Sequence, residues 1–226
     1  MIDVKKELQD NADKKYKSFQ GKVVRGAAEV LGVTMPVLKD LSKRICEDDW
    51  RSFLNESPVF YEDYMLRALV IATAKMDFDE RLKYTKIFVP EIDNWAVCDA
   101  FCSNWKVKNP DKERFWSYCE ELFETNDEFK MRVGSVMMQY HYMDAQHIDK
   151  ILQIHTVKDH PGYYYRMGSA WTLSTCFIYF PDKTEMTLLS DALNNDVRNK
   201  AVQKIIESAR VDQKDKERLK QKKGKL

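Results

Sequence analysis

Glycine and proline, the two residues that most readily interrupt a helix, number only 7 and 6 in this chain of 226 residues, and they mostly separate amphipathic segments. Strand-like alternation is nearly absent, so the pattern predicts helices joined by short turns. Leu38, Leu41 and Ile45 recur at helical spacing in PVLKDLSKRICEDD, with Thr34 as the expected cap ahead of Pro36. VFYEDYMLRALVIATAKM is the most apolar candidate and is expected in the interior. Asp79 is the expected cap of ERLKYTKIF and Asn94 that of WAVCDAFCSNW, with a break at VPEID between them.

The same alternation of cap and apolar stripe continues. Pro110 and Asp111 precede KERFWSYCEELFE, Asn126 and Asp127 precede EFKMRVGSVMMQYHYM, and Asp144 is expected to start AQHIDKILQIH. Pro161 and Gly162 introduce YYYRMGSAWTLSTCFIYF, Pro181 and Asp182 introduce KTEMTLLSDAL, and Asn195 or Asp196 introduces VRNKAVQKIIESARV. The closing DQKDKERLKQKKGKL, about residues 212–226, is charged and expected to fray. Helices of this length with short connections fit antiparallel pairs stacked as a curved α-solenoid, one all-α domain over 1–226. No strict period appears, and a compact helical bundle is the alternative.

Composition narrows the function. No apolar run approaches the roughly 20 residues of a membrane span, and MIDVKKELQDNADKKYKSF lacks the apolar stretch of a secretory signal, so a cytoplasmic protein is expected. The five cysteines are odd in number and scattered, which points to reduced core thiols. Cys98 and Cys102 share a helical face, but no histidine or second pair completes a zinc site, and the four histidines make no HExxH pattern. No metal and no cofactor is expected. With a net charge of +1, any nucleic-acid surface must come from segregated charge.

In NWAVCD, Trp95 and Asp99 stand four residues apart, so an indole and a carboxylate project from one helix face. From spacing alone, the favoured reading is a core tryptophan with an aspartate that caps a neighbouring helix or pairs with an arginine. Arg132 in FKMRVGS and Trp171 in GSAWTLS read singly as a paired surface charge and a core aromatic. Tyr163, Tyr164 and Tyr165 point about 100° apart on a helix, which predicts core and rim packing and no base-stacking platform.

Taken together, these strings resemble the AlkD-type bacterial DNA alkylation repair family. The resemblance begins at LGVTMPVLKDLSKRI, passes through Glu62 in FYEDYMLRALVIA, is strongest at IDNWAVCDAFC and KMRVGSVMM, and continues through SAWTLST to VRNKAVQKIIESARV. It implies a C-shaped stack of HEAT-like repeats whose concave face holds duplex DNA containing alkylated purines, acting as a monomer. It also implies catalytic roles for Asp99, Trp95 and Trp171 and a DNA-binding role for Arg132.

The chemistry suits that assignment. An N3- or N7-alkylated purine is cationic and leaves as a neutral base, so no general acid is required, and one carboxylate suffices where ordinary glycoside hydrolysis uses two. Asp99 would stabilise the oxocarbenium-like sugar and position water. The indole faces would favour the cationic lesion by about 0.5–2 kcal/mol each, and Arg132 would hold a flanking phosphate. Lys106, Lys108, Lys130 and Arg166 are further phosphate candidates by proximity in sequence. A non-catalytic DNA binder and a protein-interaction scaffold are the competing functions on such a fold.

Overall fold

The computed structural model describes residues 2–24, 26 and 28–222. Fourteen α-helices are present among them: α1 Val4–Asp10, α2 Lys14–Val23, α3 Met35–Glu47, α4 Trp50–Asn55, α5 Tyr61–Thr73, α6 Phe78–Phe88, α7 Trp95–Asn104, α8 Lys112–Phe123, α9 Glu128–His141, α10 Ile148–Val157, α11 Tyr163–Tyr179, α12 Pro181–Leu188, α13 Asn195–Glu207 and α14 Gln213–Lys222. Short 3₁₀ turns occupy Val89–Glu91 and Asn109–Asp111. Among the described residues there is no β-strand, only an isolated bridge between Glu29 and Phe60. The chain is all-α as expected, and no described helix is long and apolar enough to cross a membrane.

The helices fall into two compact units, residues 1–111 and 112–226. In the first, α5 packs against α3, α6 and α7. It is buried almost all round, including Met65, Leu66, Leu69, Val70 and Ile71, as the run of apolar residues requires. Its Glu62 is fully buried, and the carboxylate accepts the backbone N–H groups of Leu31 (3.0 Å), Gly32 (2.8 Å) and Val33 (3.2 Å). Three amides thus take the place of water around a buried charge. Gly32 turns this segment at φ +94°, where a Cβ would lie 2.4 Å from the Asp13 carbonyl oxygen.

In the second unit α11 is central, packed against α9, α10, α12 and α13, while α8 lies on α9. Small residues let α9 come close to its neighbours. A Cβ on Gly134 would stand 2.8 Å from the Phe123 ring and 3.1 Å from the Cys119 carbonyl oxygen. Across the α9–α11 contact, the buried Thr172 hydroxyl donates to the Ser135 carbonyl (3.1 Å) and to Gln139 Oε1 (3.3 Å). His155 on α10 is 2% exposed, with Nδ1 at 3.0 Å from Ser169 Oγ and its ring edge-on to Phe123.

Several boundaries correct the sequence reading. Thr34 occupies the cap position of α3, but its hydroxyl makes no capping bond. Asp77, not Asp79, caps α6, accepting the Glu80 N–H at 2.8 Å, and Asn194 caps α13 in place of Asn195 or Asp196. Asp144 accepts the N–H groups of Gln146 and His147 in a turn, so α10 begins at Ile148. Residues 213–222 of the charged C-terminal tail form α14, which buries Leu219 to 1% exposure, packs on α13, and pairs Arg218 with Glu185 at 2.8 Å. The last four residues of that tail lie outside the described ones. The cysteines are free as expected, with four buried and Cys46 at intermediate depth.

Candidate nucleic-acid interface

In the first unit the candidate residues ride on α7. Asn94, 4% exposed, starts this helix as predicted, its Oδ1 accepting the Val97 N–H at 3.0 Å while its amide donates to Asp93. The cap fixes the helix phase. Val97, Cys98, Phe101 and Cys102 then face the core, and Trp95 and Asp99, one turn apart, stay on the partly exposed side. Both cysteines are therefore spent on packing, and no cluster of metal-ligating side chains exists among the described residues. The Trp95 indole is held by a hydrogen bond from Nε1 to the Val23 carbonyl (3.2 Å), at the end of α2.

The second unit carries Arg132 and Trp171. Arg132 is 5% exposed, and its Nη1 donates to the Tyr164 carbonyl at 2.8 Å. Gly168 makes room for it: a Cβ there would sit 3.1 Å from Arg132 Cγ and 3.4 Å from Nη1. One turn earlier on α9, Glu128 accepts the Tyr164 N–H at 2.5 Å at the start of α11. Glu128 and Arg132 thus grip the amide and carbonyl of the same residue, so the backbone that accepts from the guanidinium is itself held at the start of α11.

Trp171 lies further along the same helix pair, its ring edge-on to Tyr140 with centroids 6.1 Å apart. The two lean over an open groove of about 580 Å³ that is also lined by Lys112, Thr175, Tyr179 and Arg210. Arg132 touches α11 at 164 and 168 while Trp171 touches α9 at 140, so the two sites are separated by about two turns, or roughly 12 Å along α9. Asp144, on the groove rim, is held below the usual carboxylate range by the His147 hydrogen bond (2.7 Å) and by Lys112 (3.7 Å), against the opposing effect of burial.

Of the further cations, Lys106 and Lys108 are exposed. Arg166 is not available in the same way, because it pairs with Asp159 (3.2 Å) and Asp196 (2.7 Å). The tyrosine triplet behaves as predicted, with Tyr165 fully buried and Tyr163 64% exposed. Sequence reasoning missed Tyr140, Tyr179 and Arg210. Tyr179 was legible in part, since Trp171, Thr175 and Tyr179 form an i, i+4, i+8 stripe; Arg210, in the α13–α14 connection, carries no local signal.

In class, this is an all-helical protein in which Trp95 and Asp99 stand on the partly exposed face of α7, Trp171 is partly exposed on α11, and Arg132 is buried on α9. A family model described as "DNA alkylation repair enzyme" matches residues 4–205, which take in nearly all of the first unit and the second as far as α13, and the chain belongs to that family. It is accordingly an enzyme of alkylated-DNA repair. No curated protein matches the chain at a significant level.

Proposed function

We propose that this enzyme hydrolyses the N-glycosidic bond of cationic N3- or N7-alkylated purines in duplex DNA. The observation that carries the reading is the α7 face, where a partly exposed carboxylate stands one turn from a partly exposed indole in a chain of the alkylation-repair family. Asp99 stabilises the positive charge that develops on the deoxyribose and positions water, while Trp95 and Trp171 present ring faces to the cationic lesion and sugar. Arg132 is the proposed phosphate contact beside the lesion; with Nη1 donating to the Tyr164 carbonyl and the side chain 5% exposed, only its remaining donors can serve, and DNA must reach them at the surface of the α9–α11 contact. No metal or organic cofactor is needed, since the cationic base is already a good leaving group.

The same reading makes residues 1–226 one domain of HEAT-like repeats, monomeric and cytoplasmic. The rows α3–α5–α7 and α9–α11–α13, in which every second helix packs on the next, support a repeat architecture within each unit. Release of 7-methylguanine from a methylated duplex tests the function, comparing wild type with Asp99→Asn. Release that falls by about 100- to 1000-fold in the variant is expected from loss of the charge that faces the transition state. Equal release by both proteins would remove Asp99 from the mechanism. DNA binding with no release from either would make the protein a non-catalytic binder.

A further inference from the structure

The groove beside Trp171 extends beyond the candidate catalytic residues. Trp171, Thr175 and Tyr179 lie on one stripe of α11, and Tyr179 is 52% exposed at the far end. The span from Trp171 to Tyr179 is eight residues, roughly 12 Å of helix, which matches three to four nucleotides of one strand at about 3.4 Å each. Arg210 reaches this end of the groove from the connection between α13 and α14. Its guanidinium carbon lies 5.1 Å from the centre of the Tyr179 ring, and its Nη2 donates to the Tyr179 hydroxyl at 2.9 Å.

The charge balance singles out this arginine. Arg166, Arg198 and Arg218 are engaged by carboxylates or carbonyls of their own unit. Lys112, the other cation of the groove, faces Asp144 at 3.7 Å. Arg210 is exposed, and no carboxylate among the described residues lies within ion-pair distance of it. The Tyr179 hydroxyl accepts from Arg210, so its own proton is directed elsewhere. Two donors, a guanidinium edge and a phenol, therefore face one small volume, and the guanidinium is oriented by the ring beneath it.

We infer that Arg210 and Tyr179 form a phosphate clamp that holds the DNA strand about three to four nucleotides from the position covered by Trp171. The inference rests on the reading of this chain as a DNA-binding repair enzyme. The clamp does no chemistry; it fixes the register of the strand in the groove.

Binding of an undamaged duplex across a salt series tests it, because each phosphate neutralised contributes about 0.9 to the slope of log affinity against log salt. Arg210→Gln is expected to weaken binding about three- to tenfold and to reduce that slope by about one. Tyr179→Phe, which removes a neutral donor and keeps the ring, is expected to weaken binding about two- to fivefold with the slope unchanged. Lys150→Gln, which removes one exposed charge outside the groove, is the control for general loss of charge. Arg210→Gln that behaves like wild type or like the Lys150 control would overturn the clamp, as would a wild type that binds no duplex. The probe carries no lesion, so a protein that binds DNA but releases no base would refute the glycosylase reading and leave this test intact. Both groove side chains are exposed, and unchanged melting temperatures will show that the variants fold.

Discussion

Protonation of His155 is expected to set the acid sensitivity of the second unit. The imidazole is almost fully buried between α10 and α11, one nitrogen faces Ser169 Oγ, and Nε2 has no hydrogen-bond partner. Burial disfavours the charged ring and lowers its pKa from 6.5 to about 3. The sign follows directly: between these values the unfolded chain binds a proton that the folded chain refuses, so stability falls as pH drops through 6.5 and levels off near 3. At pH 5 the deficit is about 1.5 pH units at about 1.36 kcal/mol each, or about 2 kcal/mol relative to neutral pH. Any folded value below 4 gives nearly the same figure at pH 5. The assay is urea unfolding at pH 7 and pH 5 at constant ionic strength, for wild type and His155→Gln. Wild type is expected to lose about 2 kcal/mol more than the variant over this interval. Parallel losses in the two proteins would refute the argument, because the pH dependence would then arise elsewhere.

Two further expectations concern packing. Glu62→Ala removes the acceptor for three backbone amides in the first unit and is expected to cost about 3–5 kcal/mol by denaturant titration. Gly134→Ala drives a methyl group toward the Cys119 carbonyl and the Phe123 ring, and is expected to destabilise by about 1–2 kcal/mol despite the better helix former. Gly168→Ala has the flexible Arg132 side chain as its nearest neighbour and should cost under about 1 kcal/mol, which thermal unfolding of the two variants side by side will separate.

Local chemistry was legible where the partner lies within one turn of the residue. Asn94 was identified as a cap, and Asn126 and Asp127 were placed together ahead of α9, because an Asx side chain ahead of an apolar stripe can bond its own first turn; Asn94 and, of the pair, Asp127 make that bond. The Trp95/Asp99 pairing on one face follows from the same periodicity. Asp77 lost to Asp79 in the sequence reading because both precede apolar residues, and only the backbone path of the preceding turn distinguishes them. The C-terminal segment looked like a solvated tail because its composition is nearly all polar. Its order comes from a single leucine and a single arginine, Leu219 and Arg218, whose partners lie on earlier helices.

The environment of Arg132 was illegible for a related reason. Its seat depends on Gly168 and on the carbonyl of Tyr164, 36 and 32 residues away, and neither announces itself as a partner. The roles proposed for Asp99, Trp95, Trp171 and Arg132 come from the resemblance, since no spacing rule distinguishes a carboxylate that faces a sugar from one that faces solvent.

The close contact of α9 with α11 bears on how the enzyme would meet its substrate. Thr172 is bonded to Ser135 and Gln139, so sliding one helix past the other by a turn would strand buried donors and acceptors at a cost of about 1–3 kcal/mol for each group. On the proposed function, the pair would serve as a ruler with two graduations, Arg132 near one end and Trp171 near the other. A ruler of fixed length measures a strand without first having to be shaped by it. Damaged and intact duplex would be read against the same scale, and discrimination would fall to the part of the DNA that deforms.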